Sequence, residues 1–455
     1  MQKTIKTKKG LDIRLIGEAA QHVQTYQTSH YAITPDHFKW LTPKLLVQEN
    51  EPVLVGQPLF FAKENNQITI TSPVSGKIAQ IIRGEKRKIE HITIESDQLF
   101  QTVDTSGKIN DGNAEEIVQT LLHFGLWPMV RQRPYGTIAQ PAQKPKAIFV
   151  CCTDTAPLAP EISYLLEGKM DLFFKGLSTI AKLTEGTLYL TVKTGTKLFD
   201  LFTNDATTGK QIAAIPNCKW VPFSGPHPSG NVGTQIHFLA PIQKGDIVWT
   251  IDPQNVATIG NLFLNQKLDF TKRIALAGGG LKNGSYFDIV NGASVSGIIK
   301  DQLVQDDVRV ISGNVLTGSN IGKEGYVGFY DHLISVIPES EERELFGWIM
   351  PNFNKFSVSR TFFSYLMPHK KYNMDTRLFG GKRVPMFSDV YSKVFPMDLL
   401  PDQLLKACYI KDIEAMEALG IYEVIEEDFA LCEFVCPSKS DCQQIVKDAL
   451  FELNK

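Results

Sequence analysis

Residues 71–94 read TSPVSGKIAQIIRGEKRKIEHITI. Ile78, Ile81, Ile89, Ile92 and Ile94 supply the β-branched apolar side of two consecutive strands. Ser75-Gly76 and Arg83-Gly84 are predicted turns, each using its glycine for the positive φ that a tight hairpin needs. Working outward, the first hundred residues repeat the pattern in short runs (LLV, PVLV, PLFFA, ITIT, HITIE) separated by Gly, Pro and Asn. Short alternating runs between turn residues predict a small β-sandwich. The preceding run FAKENNQITI is predicted to be a hairpin carrying Lys63.

A Ser-Pro-Val-Ser-Gly-Lys-Ile turn between alternating strands resembles the barrel-sandwich hybrid of biotinyl and lipoyl domains. In carrier proteins of that kind the modified lysine sits on the preceding hairpin, where this chain has Lys63. The methionines that flank a biotinyl lysine are missing, and an exposed lysine is the ordinary choice for a solvated turn. A carrier module predicts a mass increment on the peptide that holds Lys63.

The chain has 455 residues, enough for three or four domains. Its 47 Lys and Arg against 49 Asp and Glu leave no basic field for nucleic acid and no acidic tail. Seven cysteines, an odd number with Cys151 and Cys152 adjacent, do not make a secreted disulfide framework and fit a reducing compartment. The N-terminal run MQKTIKTKKGLDIRLIG is basic but lacks an apolar signal core. No stretch of 18 uncharged apolar residues predicts a membrane span.

DTSGKINDGNA serves as a linker, after which the periodicity changes. EEIVQTLLHFGLW is predicted helical, KAIFVCC a continuous apolar strand, PEISYLLEGKMDLFFKGLSTIAKLT helical and TLYLTV a strand. Strand, helix and strand with long crossovers predict a parallel α/β sheet closing near Val256 after DIVWTI. The Gly-rich, β-branched runs from Lys272 to Ile321 suggest a compact β-grasp. Helices dominate after Pro401, with Asp402 in a capping position and Gly420 as a helix stop.

Four motifs invite chemistry. AGGGLKNG, residues 277–284, follows a strand as a dinucleotide loop does, yet its glycine spacing differs and no helix follows, so a hairpin is expected. SGPHPSGNVGTQIHF, residues 224–238, offers many backbone amides to an anion or to a partner's backbone. His227 and His237 within it lack a third ligand for a metal. Cys432, Cys436 and Cys442 are spaced by four and six, looser than a four-thiolate iron–sulfur set, and are expected to be buried thiols.

KGLDIRLIG, SPVSGKI with IRGEKR, GLWPMVRQRPY, SGPHPSGNVGTQIHFL, ISGNVLTG and EEDFALCEFVCPSKSDC occur in this order across nearly the whole chain. Together they resemble the A subunit of the bacterial sodium-translocating NADH:quinone oxidoreductase. The resemblance implies a multidomain α/β chain: a barrel-sandwich hybrid at 1–103, a Rossmann-like α/β domain at 113–257, an SLBB-like β-grasp at 261–325 and a mixed, largely helical region at 326–455. It implies a peripheral subunit on the cytoplasmic face of the inner membrane, without a cofactor of its own. By the same resemblance, FAD, FMN, riboflavin and an iron–sulfur centre are expected in the other five subunits of a pump that reduces ubiquinone. The loop 224–234 lacks the acidic residue of the flavin loop in complex I relatives. A stand-alone flavin-dependent NADH dehydrogenase is the alternative, separated by its yellow colour. For the quinone the candidates are Trp127, Arg131, Arg133 and Tyr135. Aromatic walls and directed donors suit a quinone headgroup, and the same residue types suit docking onto partner subunits.

Overall fold

The computed structural model describes residues 3–340, 353–359, 362–384 and 389–455; residues 341–352 of the expected fourth region lie outside them. The stretch 71–94 forms the strands Gly76–Arg83 and Ile89–Ser96, antiparallel to one another. His30–Ile33 and Pro52–Val53 complete a four-stranded sheet, and Pro43–Leu45, Pro58–Ala62 and Asn65–Thr71 make a three-stranded partner. Ile78, Ile92, Ile94, Leu59, Phe60 and Ile70 are buried in their shared core. Lys63 is exposed in the two-residue turn between Pro58–Ala62 and Asn65–Thr71.

The second turn departs from expectation. Gly76 has φ +147°, but Gly84 has φ −92°, and Lys86 and Arg87 take the positive φ of this loop instead.

A seven-stranded sheet forms the α/β unit in the order Ile5–Lys6, Cys218–Ser224, Thr187–Lys193, Ala147–Cys152, Val248–Ile251, Val130–Arg133, Thr137–Ile138. The first five run parallel, Val130–Arg133 runs against them, and Thr137–Ile138 pairs antiparallel with Val130–Arg133. The buried apolar run Ala147–Cys152 takes the centre, as a strand covered on both faces must. From it the chain winds outward through Thr187–Lys193 to Cys218–Ser224, then crosses back to Val248–Ile251 on the other side. A topological switch point therefore lies at the carboxyl end of Ala147–Cys152, where doubly wound sheets hold ligands. The helix expected from Pro160 to Thr184 is broken into Ile162–Leu165, Met170–Ile180 and a short 3-10 turn, with Gly168 at φ +76° making the first break.

The third sheet has the order Ser319–Asn320, Val308–Ser312, Leu333–Pro338, Thr271–Ala277, Ser285–Val290, Val23–Thr25. Two features lie outside the expected boundaries. Leu333–Pro338 follows residue 325, and the edge strand Val23–Thr25 comes from the segment ahead of the barrel sandwich. Likewise Ile5–Lys6 pairs with the α/β sheet and not with the first domain.

From Pro401 onward helices dominate, through Pro401–Ile410, Ile413–Ala418, Ala430–Val435 and Cys442–Leu453. Asp402 follows Pro401 in the first turn of its helix, and Gly420 ends Ile413–Ala418 at φ +86°. No helix among the described residues is long and apolar enough to cross a membrane.

Candidate functional site

Residues 125–136 run through the interior of the molecule. Gly125 has φ +66°, and a side chain there would collide with Thr71 of the barrel sandwich. Trp127 is fully buried: its indole N–H donates to the Ala139 carbonyl at 2.7 Å, and its ring meets Trp249 edge-on at 5.3 Å. The Pro128 carbonyl accepts from the Tyr330 hydroxyl at 2.7 Å, and the Arg131 guanidinium lies 4.9 Å over the same ring. Burial drives the Tyr330 phenol far above its ordinary range, so it stays a donor.

Arg133 is buried in an ion-paired cluster with the C-terminal region, 2.5 Å from Glu427 and 3.1 Å from Asp428. Burial pushes the Asp428 carboxyl up to about 6, against the opposing pull of Arg133 and of the Ile425 N–H that donates to it at 2.9 Å. The adjacent Glu426 pairs with Lys39 of the barrel sandwich at 2.5 Å. Tyr135, half-buried, packs against Trp40 at 5.9 Å and Tyr422 at 6.4 Å. Its φ of +81° is a costly conformation for an aromatic residue and fixes this ring at the seam.

Of the four sequence candidates, then, Trp127 and Arg133 are interior residues, and Arg131 and Tyr135 reach the surface only in part. Lys39, Glu427 and Asp428 were not candidates. Run together in sequence, Glu426, Glu427 and Asp428 look like a solvated acidic patch, and nothing local announces cations nearly 300 or more residues away.

The Gly-rich loop lies at the carboxyl ends of the parallel strands and leads into the helix Val232–Leu239. Several of its groups are engaged by the chain itself. The Thr7 N–H donates to the Ser224 carbonyl at 2.9 Å, the His227 N–H to Asp12 at 3.0 Å and the Gly230 N–H to the Thr155 hydroxyl at 2.9 Å. Asp428 lies against Gly233 in the first turn of the helix, where any side chain would strike its carboxylate. Buried Gln235 accepts from the Thr191 hydroxyl and donates to Thr153, which closes the strand ends beneath the loop.

A cavity of about 310 Å³ remains beside it, bordered by Asp12, Arg14, Asp154, Thr155, Lys193 and Thr196. Arg14 bonds His369 at 2.9 Å. Asp154 accepts from the Ala156 N–H, and burial raises its carboxyl.

The two histidines of the loop do not meet. His227 is buried against Thr155, and burial lowers it to about 4. The Nε2 of His237 accepts from the Asp398 N–H at 2.9 Å, so its Nδ1–H donates to Glu423 at 2.7 Å.

Cys432, Cys436 and Cys442 are buried free thiols. The Tyr391 hydroxyl donates to the Cys436 sulfur at 2.9 Å, with the Cys442 sulfur 4.0 Å from the same oxygen. Among the described residues no group of three His, Cys, Asp or Glu is placed to hold a metal. AGGGLKNG connects the antiparallel strands Thr271–Ala277 and Ser285–Val290, a hairpin without a following helix.

Comparison with known proteins agrees with this architecture. Family models match in sequence order: the NqrA N-terminal barrel-sandwich hybrid domain at 5–97, the NqrA second alpha/beta domain at 112–268 and the NQRA C-terminal domain at 273–323. The A subunit of the Na(+)-translocating NADH-quinone reductase of Yersinia pseudotuberculosis serotype O:1b is 35% identical over 456 residues, with 99% of each chain covered. The corresponding A subunits of Serratia proteamaculans and of Neisseria meningitidis serogroup B are 35% identical over the same share of each chain. Among solved structures, an NAD+-reducing [NiFe]-hydrogenase in the H2-reduced state overlaps 75% of this chain and 61% of its own at 11% identity and a TM-score of 0.42, too loose a likeness to build on. With full-length identity of 35% and three domain models in register, the chain belongs to the family of A subunits of the Na(+)-translocating NADH-quinone reductase.

Proposed function

We propose that this chain is a peripheral subunit, on the cytoplasmic face of the membrane, of a six-subunit respiratory pump that oxidises NADH, reduces ubiquinone and moves sodium. In this reading it holds no redox group, and the FAD, FMN, riboflavin and iron–sulfur centre belong to the other five subunits. The observation that carries the cofactor-free part is the filled loop. Two of the loop amides, those of His227 and Gly230, are taken by Asp12 and Thr155, and the Asp428 carboxylate stands against the helix start, where it would repel a phosphate. The isolated protein is therefore expected to be colourless, and stoichiometric visible absorbance from flavin or iron would overturn this. Isolation of the complex from native membranes in mild detergent tests the assembly: five other subunits should arrive with this chain.

The segment 125–136 has two readings, a quinone contact and a docking loop. Its position at the junction with the barrel sandwich and the C-terminal region favours docking, because the buried Arg133 cluster and Trp127 leave only Arg131 and Tyr135 for an outside partner. Arg131→Ala and Tyr135→Ala in the assembled complex separate them. Loss of subunits at unchanged quinone affinity supports docking, and weaker quinone affinity with all subunits retained supports a pocket.

A further inference from the structure

The stretch 353–384 has one regular element among its described residues, the 3-10 turn Phe363–Leu366. Long irregular stretches inside compact domains are commonly functional or linkers. This one is tied to the body. The buried Tyr372 exchanges backbone hydrogen bonds with Arg14 and Ile16, and its ring meets Phe356, which also touches Phe434.

On that anchored frame stand Phe353, Phe363, Tyr365, Leu366, Leu378 and Phe379, each between 45% and 63% exposed. They form an organised surface. Phe353 and Phe363 stack at 5.5 Å and 26°. The Lys355 ammonium lies 5.7 Å from the Phe362 ring and 4.8 Å from Phe379, over which the Arg377 guanidinium also lies at 5.6 Å. Large apolar side chains exposed together on one anchored stretch mark an interaction site.

Charge gives the partner's character. Lys370, Lys371, Arg377, Lys382 and Arg383 reach the surface of this stretch against Asp375, and Glu18 and Asp441 join them from outside it, so the face stays net positive in a chain whose total is −2. The cations are interleaved with carboxylates: Lys371 pairs with Glu18, Arg377 with Asp375 and Lys382 with Asp441, at 2.7–2.8 Å. A flat anionic bilayer would meet those carboxylates along with the cations, whereas a polypeptide can pass between them. The aromatic and Arg content is that of protein interface cores.

We infer that this face is a docking surface for an acidic, apolar-bearing segment of another protein subunit; the inference rests on the subunit reading above. The test is made in the assembled complex, purified through a tag on a different subunit. The double variant Leu366→Ser, Phe379→Ser alters exposed side chains, and its unfolding midpoint in the isolated chain checks that the fold is kept. A second variant, Lys382→Glu with Arg383→Glu, reverses charge without touching the rings. Each is expected to lower recovery of this chain with the complex about tenfold or more, as removing anchors from an interface does. Recovery of both variants at the wild-type level, beside a wild-type chain that co-purifies, overturns this inference alone. A wild-type chain that fails to co-purify overturns the subunit reading and the inference with it. Binding of the isolated wild-type chain to phosphatidylcholine and phosphatidylglycerol vesicles, abolished by Leu366→Ser, Phe379→Ser, also overturns it by making the surface a lipid contact.

Discussion

Arg133 is a buried cation and His227 a buried titratable ring, and each gives a measurable consequence. Replacing Arg133 by Met leaves the Asp428 carboxyl buried without its cation, and breaking such a pair costs about 3–5 kcal/mol in denaturant unfolding. The double variant Arg133→Met, Asp428→Leu should recover part of that loss, because no uncompensated charge remains at Asp428. His227 behaves differently. Its pKa falls from an ordinary 6.5 to about 4 because burial penalises the imidazolium. The unfolded chain therefore takes up the proton first, and stability present above pH 6.5 is lost as pH falls toward 4, by about 3 kcal/mol in all. His227→Gln should flatten that part of the pH profile, and an unchanged slope would show that His227 does not carry it. Residue-scale detail was the least legible in sequence. Gly76 takes the expected positive φ, but at the second turn Lys86 and Arg87 take it while Gly84 does not. Only the flexible end of the exposed Glu90 side chain lies over Gly84, so nothing in the packing requires glycine there.

Among the elements, the stretch 71–94 was the most legible because its strands have eight residues each and are rich in isoleucine, although register shifts between Ile78 and Gln80 and between Ile82 and Arg83 interrupt their alternation. Gly76 opens the first of them at φ +147°, and a side chain there would run into the Glu95 carbonyl across the ladder. Gly76→Ala therefore combines backbone strain with a collision against main chain, and is expected to lower stability by about 1–3 kcal/mol, read as a lower thermal midpoint. Three strands of the parallel sheet, Ala147–Cys152, Thr187–Lys193 and Val248–Ile251, were legible from their apolar runs, whereas Cys218–Ser224, interrupted by Lys219 and Pro222, was not. Val23–Thr25 and Ile5–Lys6 were not: strands of three and two residues have too little period to read, and their partners lie over 200 residues away. The break at Gly168 was hidden because the flanking residues keep a helical pattern while tertiary packing decides where one helix stops.

Across the whole molecule, the two chain ends converge on the Gly-rich loop of the α/β unit. Ile5–Lys6 adds the outermost parallel strand beside Cys218–Ser224, Asp12 accepts from the His227 N–H, and Asp428 lies against Gly233. The sequence showed the loop's capacity to receive an anion, but not that distant parts of the same chain fill it. This arrangement separates local from global stability. Removing residues 1–12 takes away the edge strand and the Asp12 acceptor, while the helices Met170–Ile180 and Pro253–Asn265 keep their packing against each other. Amides of the strand Cys218–Ser224 and the loop 225–231 should then exchange with solvent roughly tenfold faster or more, with little change in those two helices. Uniformly faster exchange would mean that the N-terminal segment supports the whole α/β unit, and unchanged exchange at His227 would mean that Asp12 does not secure the loop.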